Sequence, residues 1–287
     1  LPVEPELYGK ATKGAALALL GRVYLNTKQW QKCADVLQQV IDLSKYGLFT
    51  PVEGLFSVDN EGNEELIFVF ASLPIGPGWN YMPHAYPVGY DTDQVNYGAQ
   101  FQLWRWFVNS FEEQDTRRNW ILTSYTDKSG EFIDLMNDPI VPGVEKKYPR
   151  SFKFPPDPNA LGAVHGNDMP ILRYAEVLVS RAEALNEING PNQESIDLLN
   201  QIRSRANASL YELSDFPDKE SLRNQILQER AWEFFTEGLR RQDLIRHGKY
   251  ISAAVERGVA AQPHHVLYPI PQQELDANPS LVQNPGY

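Results

Sequence analysis

The residues best suited to chemistry on a ligand lie between Leu73 and Tyr97. There Trp79, Tyr81, His84, Tyr86, Tyr90 and Tyr97 stand among glycines, prolines, Asn80, Asp91, Asp93, Gln94 and Asn96. Flat rings offer an apolar face to the C–H side of a pyranose, while amides and carboxylates at the ring edges exchange hydrogen bonds with its hydroxyls. The same rings suit a protein-interface anchor or the packed interior of an ordered loop, and residue types alone leave all three open. The candidate ligand site is Trp79, Tyr81, Tyr86 and Tyr90 as stacking rings, with Asn80 and Asp91 as polar partners. A glycan hydrolase needs two carboxylates about 5–10 Å apart, for which Asp91 and Asp93 are the nearest candidates. Acids at i and i+2 of an extended loop point to opposite sides, which is poor geometry for a shared cleft. No GxSxG elbow, Walker loop or GxGxxG turn occurs, and no catalytic residue is assigned.

Metal and cofactor sites are not expected. His264 and His265 are adjacent and should diverge in an extended tail, and neither HExxH nor a cysteine cluster is present. The run Asp59 to Glu65 places Gly62 fourth, where a calcium loop needs it sixth, and reads as a polar turn leading into a strand. Lys146, Lys147, Arg150 and Lys153, interleaved with Tyr148, Phe152 and Phe154, read as a solvated strand edge. Against 26 Lys and Arg stand 37 Asp and Glu, a net charge of −11 that argues against nucleic-acid and anionic-membrane surfaces. The single cysteine, Cys33, allows no intramolecular disulfide and suits a small packing position. No apolar run approaches the ~18 residues that span a bilayer, and no signal peptide opens the chain.

Helical periods place the elements that must carry this loop. Residues 10–45 fit a tetratricopeptide-type pair, with Leu17, Leu20, Gly21 and Tyr24 meeting Trp30, Cys33, Leu37 and Val40. A second pair runs from Met169 to Ala206 across the break at Asn189, Gly190 and Pro191. In it Ala175, Leu178, Ala182 and Leu185 face Ile196, Leu199, Ile202 and Ala206. A third helix runs from Lys219 to Glu237 after an Asp218 N-cap and stops at Gly238. Between the pairs, residues 50–168 form a loop-rich insertion with a strand at Glu65–Phe70 and a helix at Phe101–Phe111. Residues 169–250 return to helical repeats, and 251–287 form an extended tail rich in Pro and Asn. The fold class is mainly α.

Gln228 to Gly248 packs charge into this helical pattern. Glu229, Glu233 and Glu237 share one stripe, and Arg240, Arg241 and Arg246 follow among Leu239, Leu244 and Ile245, so that a partly buried ion network and a solvated face are both open. The segment resembles the signature of the SusD/RagB family of outer-membrane nutrient-binding lipoproteins at Glu229, Arg230, Glu233, Glu237, Gly238, Arg240, Asp243, Leu244, Arg246 and Gly248. The tail from Tyr268 to Pro271, Glu274, Asn278 and Pro279, and Gln283 to Tyr287 is similar to that family's ending. Gly9 to Tyr24 and Arg173 to Ala184 match two of its helices, and Asp115 to Arg118 its acid-base element after a helix. The resemblance implies a SusD-like fold built on tetratricopeptide-like pairs, and glycan or nutrient binding without catalysis. It also implies a lipid anchor at the outer face of the outer membrane, and delivery to a SusC-like TonB-dependent transporter. A chain opening directly into an inner helix of that family reads as a fragment or short member without the N-terminal part, its export signal and its lipidated cysteine. Rival readings are a glycan-active hydrolase and a pure assembly module of an outer-membrane complex.

Overall fold

The computed structural model describes residues 1–76, 78–98, 100–140 and 147–287. The chain divides into two compact units, Leu1–Thr236 and Glu237–Tyr287. The first unit runs α1 (Lys13–Asn26), α2 (Trp30–Asp42), β1 (Leu66–Phe70), α3 (Tyr81–Ala85), α4 (Arg105–Val108), β2 (Ile121–Leu122), β3 (Ser124–Thr126) and β4 (Phe132–Asp134). It continues through β5 (Arg150–Ser151), β6 (Met169–Arg173), α5 (Tyr174–Asn189), α6 (Gln193–Arg205) and α7 (Lys219–Phe234). The mainly helical, tetratricopeptide-like architecture expected from the sequence is present.

Thr12 starts α1 by accepting a hydrogen bond from the Ala15 amide. The buried stripe of α1 is made of small residues, Gly14, Ala15, Ala18 and Gly21, closed by Leu25. Leu20, expected to face α2, is instead exposed beside Leu19 and Val23. The close approach explains this difference: a Cβ on Gly21 would lie 2.2 Å from Leu37 Cδ2 and 2.7 Å from its Cγ, so no leucine fits the contact row. Gly21→Ala gains about 1 kcal/mol of helix propensity but must displace a buried Leu37. A net loss of about 1–3 kcal/mol is expected, read as a lowered midpoint in chemical denaturation.

Helix α2 packs between α1 and α5, and α5 packs in turn on α6 and α7. This central place buries α5 continuously from Tyr174 to Asn186, and the apolar rows predicted for α5 and α6 are all in the core. Met169–Arg173, expected to open a helix, is a strand, because it pairs antiparallel with β1 from Leu66↔Arg173 to Phe70↔Met169. Asp218 and Ser221 close a capping box at the start of α7. That helix stops at Phe234, not at Glu237. Three side-chain bonds occupy carbonyls at its end: Lys153 Nζ donates to Glu233 O at 2.6 Å and Phe235 O at 3.3 Å, and Arg173 Nη2 donates to Glu233 O at 2.8 Å. Thr236 then turns left-handed with φ 64°.

The loop-rich segment is held by an aromatic core in which Phe56, Phe111, Trp120 and Phe154 pack with Trp232 and Phe235, and by the short ladders β2/β5 and β3/β4. The basic run is not a solvated edge. Arg150 and Lys153 are fully buried, and the Lys153 ammonium lies 4.5 Å from the Trp120 ring centre and 4.6 Å from that of Phe235. Lys147 pairs with Asp138 at 3.0 Å, and Lys146 lies outside the described residues.

A buried ion lattice ties this segment to the helices. Arg117 reaches Asp115 at 2.7 Å, Glu229 at 2.6 Å and Glu233 at 3.0 Å. Arg173 bridges Glu65 at 2.6 Å and Glu233 at 2.7 Å. Arg205 bonds Glu65 at 2.6 Å and also Glu233, while Arg203 bonds Glu229 at 2.8 Å and also Glu112. Burial opposes ionisation of Glu233, but the charges of Arg205, Arg173, Arg117 and Lys153 outweigh it and hold the carboxyl below its ordinary range.

The second unit contains α8 (Arg240–Arg246), α9 (Tyr250–Glu256) and α10 (Gln272–Ala277). Arg241 sits between the rings of Tyr250 and Tyr268, at 5.2 and 4.3 Å, and donates to Val266 O. His264 and His265 do not diverge. They occupy a 3-10 turn, Pro263–Val266, that brings their ring centres within 4.3 Å. Among the described residues no helix is long and apolar enough to cross a membrane.

Candidate functional site

The aromatic loop separates into two clusters. In the first, Trp79 packs edge-on against Phe154 at 4.7 Å, lies 5.5 Å from Tyr81, and donates its indole N–H to Asn167 O at 2.8 Å. Its backbone carbonyl accepts from the His165 amide. Tyr81 stacks on Phe101 at 5.4 Å with a 16° interplanar angle, and its phenol bonds Ser151 O at 3.3 Å. Burial pushes the Tyr81 phenol up to about 12. Trp79 and Tyr81 are half-buried and flank the aromatic core, whereas Asn80 between them is exposed.

In the second cluster Tyr86 has no exposed surface, and Tyr90, half-buried, stacks on it at 5.2 Å and 15°. Phe152 meets both rings edge-on. Tyr86 therefore backs Tyr90 from within the protein and borders the cleft from beneath, with no exposed surface of its own. Its hydroxyl donates to Gln94 Oε1 at 2.6 Å, and Gln94 Nε2 donates to Asp157 O at 2.5 Å. These bonds join the two walls of an open cleft of about 630 Å³, walled by Tyr90 to Val95 on one side and by Pro156, Pro158 and Ala160 to Gly162 on the other.

Asp91 and Asp93 both border this cleft, contrary to the expectation that they diverge. The chain bends here, with the Gln94 amide donating to Thr92 Oγ1 at 3.1 Å, so the alternation of an extended strand does not apply. Burial, reinforced by the charge of Asp91, raises the Tyr90 phenol above its ordinary value. It stays protonated at neutral pH as a hydrogen-bond donor. Behind the cleft, Asp157 accepts from the Gly166 and Asn159 amides, and burial lowers the His165 imidazole, with the Asp157 charge opposing.

Exposed rings also occur where a helix was expected. Only α4 forms within Phe101–Phe111, and it leaves Phe101 45%, Trp104 47% and Trp106 55% exposed. Arg105, between the two tryptophans, is rooted inward by bonds to the carbonyls of Leu135 at 2.8 Å, Asp138 at 2.6 Å and Lys147 at 2.8 Å. Tyr97, half exposed, and Phe101 lean on His84 at 4.8 and 5.4 Å. Tyr97 and His84 belong to the loop aromatics picked out by composition, whereas Phe101, Trp104 and Trp106 lie outside that stretch and are surface rings the sequence does not mark. No local period marks them, since Trp106 lies in α4 and Trp104 is its N-cap.

The sequence profile of the SusD family matches residues 107–287. A SusD-like protein of Formosa agariphila is 25% identical over 97% of the chain, and the chain spans 60% of that relative's length. The starch-binding protein SusD of Bacteroides thetaiotaomicron is 31% identical over 42% of the chain and 22% of its own length. Among solved structures, a laminarin-binding SusD-like protein superposes with a TM-score of 0.80 at 27% identity, covering 97% of this chain and 63% of that one. A SusD superfamily protein of Parabacteroides distasonis gives 0.78 at 26% identity, covering 97% and 64%. The buried acid-base residues Arg117, Glu229, Arg230 and Glu233 lie within the span matched by the profile, and the chain belongs to the SusD family.

Proposed function

We propose that this chain binds glycans, without cleaving them, at the cleft walled by residues 90–95 and 156–162. The observation that carries this reading is Tyr90, a partly exposed ring backed by a buried parallel ring, with Asp91, Thr92, Asp93 and Gln94 beside it. A ring so supported holds its face still for a sugar, and the polar neighbours supply hydroxyl partners. Family members named for binding starch and laminarin support the ligand class. Asn80 adds a polar contact, Trp79, Tyr81 and Tyr86 hold the loop in place, and Trp104 and Trp106 offer further stacking surface. The glycan is then passed to a TonB-dependent transporter of the SusC type at the outer face of the outer membrane. In this reading a lipid anchor holds the protein there, and the helical repeats face the transporter.

Affinity electrophoresis against a panel of polysaccharides tests the binding. Tyr90→Ala is expected to weaken retention about tenfold, the loss of about 1.4 kcal/mol of stacking, with a melting temperature lowered less than that of Tyr86→Ala. Retention equal to wild type removes Tyr90 from the site. Release of reducing ends from a retained glycan would establish the hydrolase reading instead, with Asp91 and Asp93 as its acids. Co-purification with a co-expressed SusC-like TonB-dependent transporter tests the hand-over.

A further inference from the structure

The Tyr90 cleft carries an unbalanced charge. Asp91 and Asp93 are exposed on its wall, and neither carboxylate has a hydrogen-bond donor or cation as partner among the described residues. Among the described residues no lysine or arginine lines it. Lys128 reaches the cleft wall at its backbone, its ammonium donating to Thr92 O at 2.8 Å. It is flanked by Asp127, which pairs by an isolated bridge with Tyr90 and whose carboxylate is held by Ser129 and Glu131 amides, and by the exposed Glu131 itself. Asp157 stands behind the opposite wall, held only by backbone amides. The described lining of the cleft thus carries two carboxylates and no cationic side chain, on a chain of net charge −11.

We infer that the Tyr90 cleft selects glycans that are uncharged or carry amines and rejects those that carry carboxylate or sulfate. This inference rests on the cleft being the glycan site and names the class of glycan that site takes. An ionised carboxylate accepts from two neighbouring hydroxyls of a neutral sugar. An anionic sugar must instead place its charge a few ångströms from Asp91 and Asp93. In a wet site each such approach weakens binding roughly fivefold, and the effect fades over a Debye length of about 8 Å at physiological salt. The site itself stands on the cleft and the stacked ring; the acids act as its filter.

The test is calorimetric titration of the whole chain with four defined probes at low and physiological salt: laminarihexaose, maltohexaose, a chitosan hexamer and a galacturonate hexamer. Wild type, Tyr90→Ala and the Asp91→Asn/Asp93→Asn double variant are compared. A neutral or amine-bearing probe should bind at least tenfold more tightly than the galacturonate hexamer. The double variant should narrow that gap at low salt, and any chitosan affinity should fall in the double variant and with added salt. Galacturonate bound as tightly as the best neutral probe, and lost in Tyr90→Ala, overturns the charge filter while the cleft remains the site. Binding of any probe that survives Tyr90→Ala unchanged, or no binding of any probe, overturns the cleft as the site and the filter with it. Both altered acids are exposed, so melting temperatures within error of wild type are expected and confirm that the variants are folded.

Discussion

Glu233→Ala should cost about 3–5 kcal/mol and lower the melting temperature more than any single substitution at the binding cleft. The carboxylate it removes is wholly buried and serves Arg117, Arg173 and Arg205 together. Its loss leaves three guanidinium groups sharing Asp115, Glu229 and Glu65 in a place water does not reach, and breaking a buried pair from one side is what makes such losses large. Glu233→Gln keeps the shape and should recover only part of the stability. The pH dependence has a definite sign. With its folded-state carboxyl below the ordinary value near 4.5, Glu233 contributes fully above that pH and loses its contribution as the pH falls through the lower folded value. The gap between wild type and Glu233→Gln should therefore be constant from pH 7 to 5 and close only in stronger acid. Glu187→Ala is the comparison: the Arg223 it bonds at 2.7 Å is about a third exposed and water can take over its guanidinium, so its removal should cost less than that of Glu233, on the order of 1–2 kcal/mol. Equal melting temperatures for wild type and Glu233→Ala would sink the claim that the lattice holds the loop-rich segment to the helices.

Asp115, Glu229 and Glu233 of this lattice were legible in the sequence, whereas Glu65, Glu112 and most of its cations were not. Glu229 and Glu233 announce themselves by four-residue spacing on one stripe, and Arg117 by its match to the acid-base element after a helix. Adjacent acid and base residues in that element suggest a local pair. Arg117 does reach Asp115, but it also crosses to Glu229 and Glu233, more than a hundred residues away. Arg173, Arg203 and Arg205 come from β6 and α6, and nothing in local periodicity announces a contact made by tertiary packing. The arginines that follow the acids directly fall in the second unit, where Arg246 pairs with Asp243 at 2.8 Å and Arg241 meets tyrosine rings. Glu237, expected on the same helical stripe, lies beyond the end of α7. The early stop arises from side-chain donors that take the last carbonyls, and such donors lie far away in sequence.

The helical scaffold was readable for the opposite reason, since 3.6-residue periods, an Asp218 cap and the Gly190 stop are local signals that packing left standing. The loop region offers no period. Composition located the ring cluster between residues 79 and 90 and could not say which rings turn outward, because each bend resets the alternation of sides. Asn80 and Asp91 are at the surface, Trp79, Tyr81 and Tyr90 are half-buried, and Tyr86 is wholly enclosed. The helix expected at Phe101–Phe111 failed similarly. Arg105 draws three carbonyls from other segments toward itself, and a short turn satisfies them where a long helix would carry the guanidinium away.

Tyr86→Ala and Tyr90→Ala should then separate stability from binding within one stacked pair. Deleting the Tyr86 ring opens a cavity beneath Tyr90 and beside Phe152, and removing a fully buried aromatic side chain costs about 3–5 kcal/mol. It also leaves Gln94 Oε1 without its phenolic donor, loosening the bond by which Gln94 ties the two walls of the cleft together. Tyr86→Phe keeps the ring and removes only the hydroxyl, so a loss nearer 1 kcal/mol is expected, with glycan retention preserved if the stack supports the ligand-facing ring. Alkaline titration checks the same group independently. Burial pushes the Tyr86 phenol up to about 12, so its contribution is complete below the unfolded value near 10 and is lost as the pH rises through 12. Wild type should lose more stability over that interval than Tyr86→Phe does. If Tyr86→Ala melts like wild type, the ring is not the foundation on which Tyr90 rests. Retention lost in Tyr86→Phe at full stability would instead place the Tyr86 hydroxyl, and with it Gln94, in the path of the ligand.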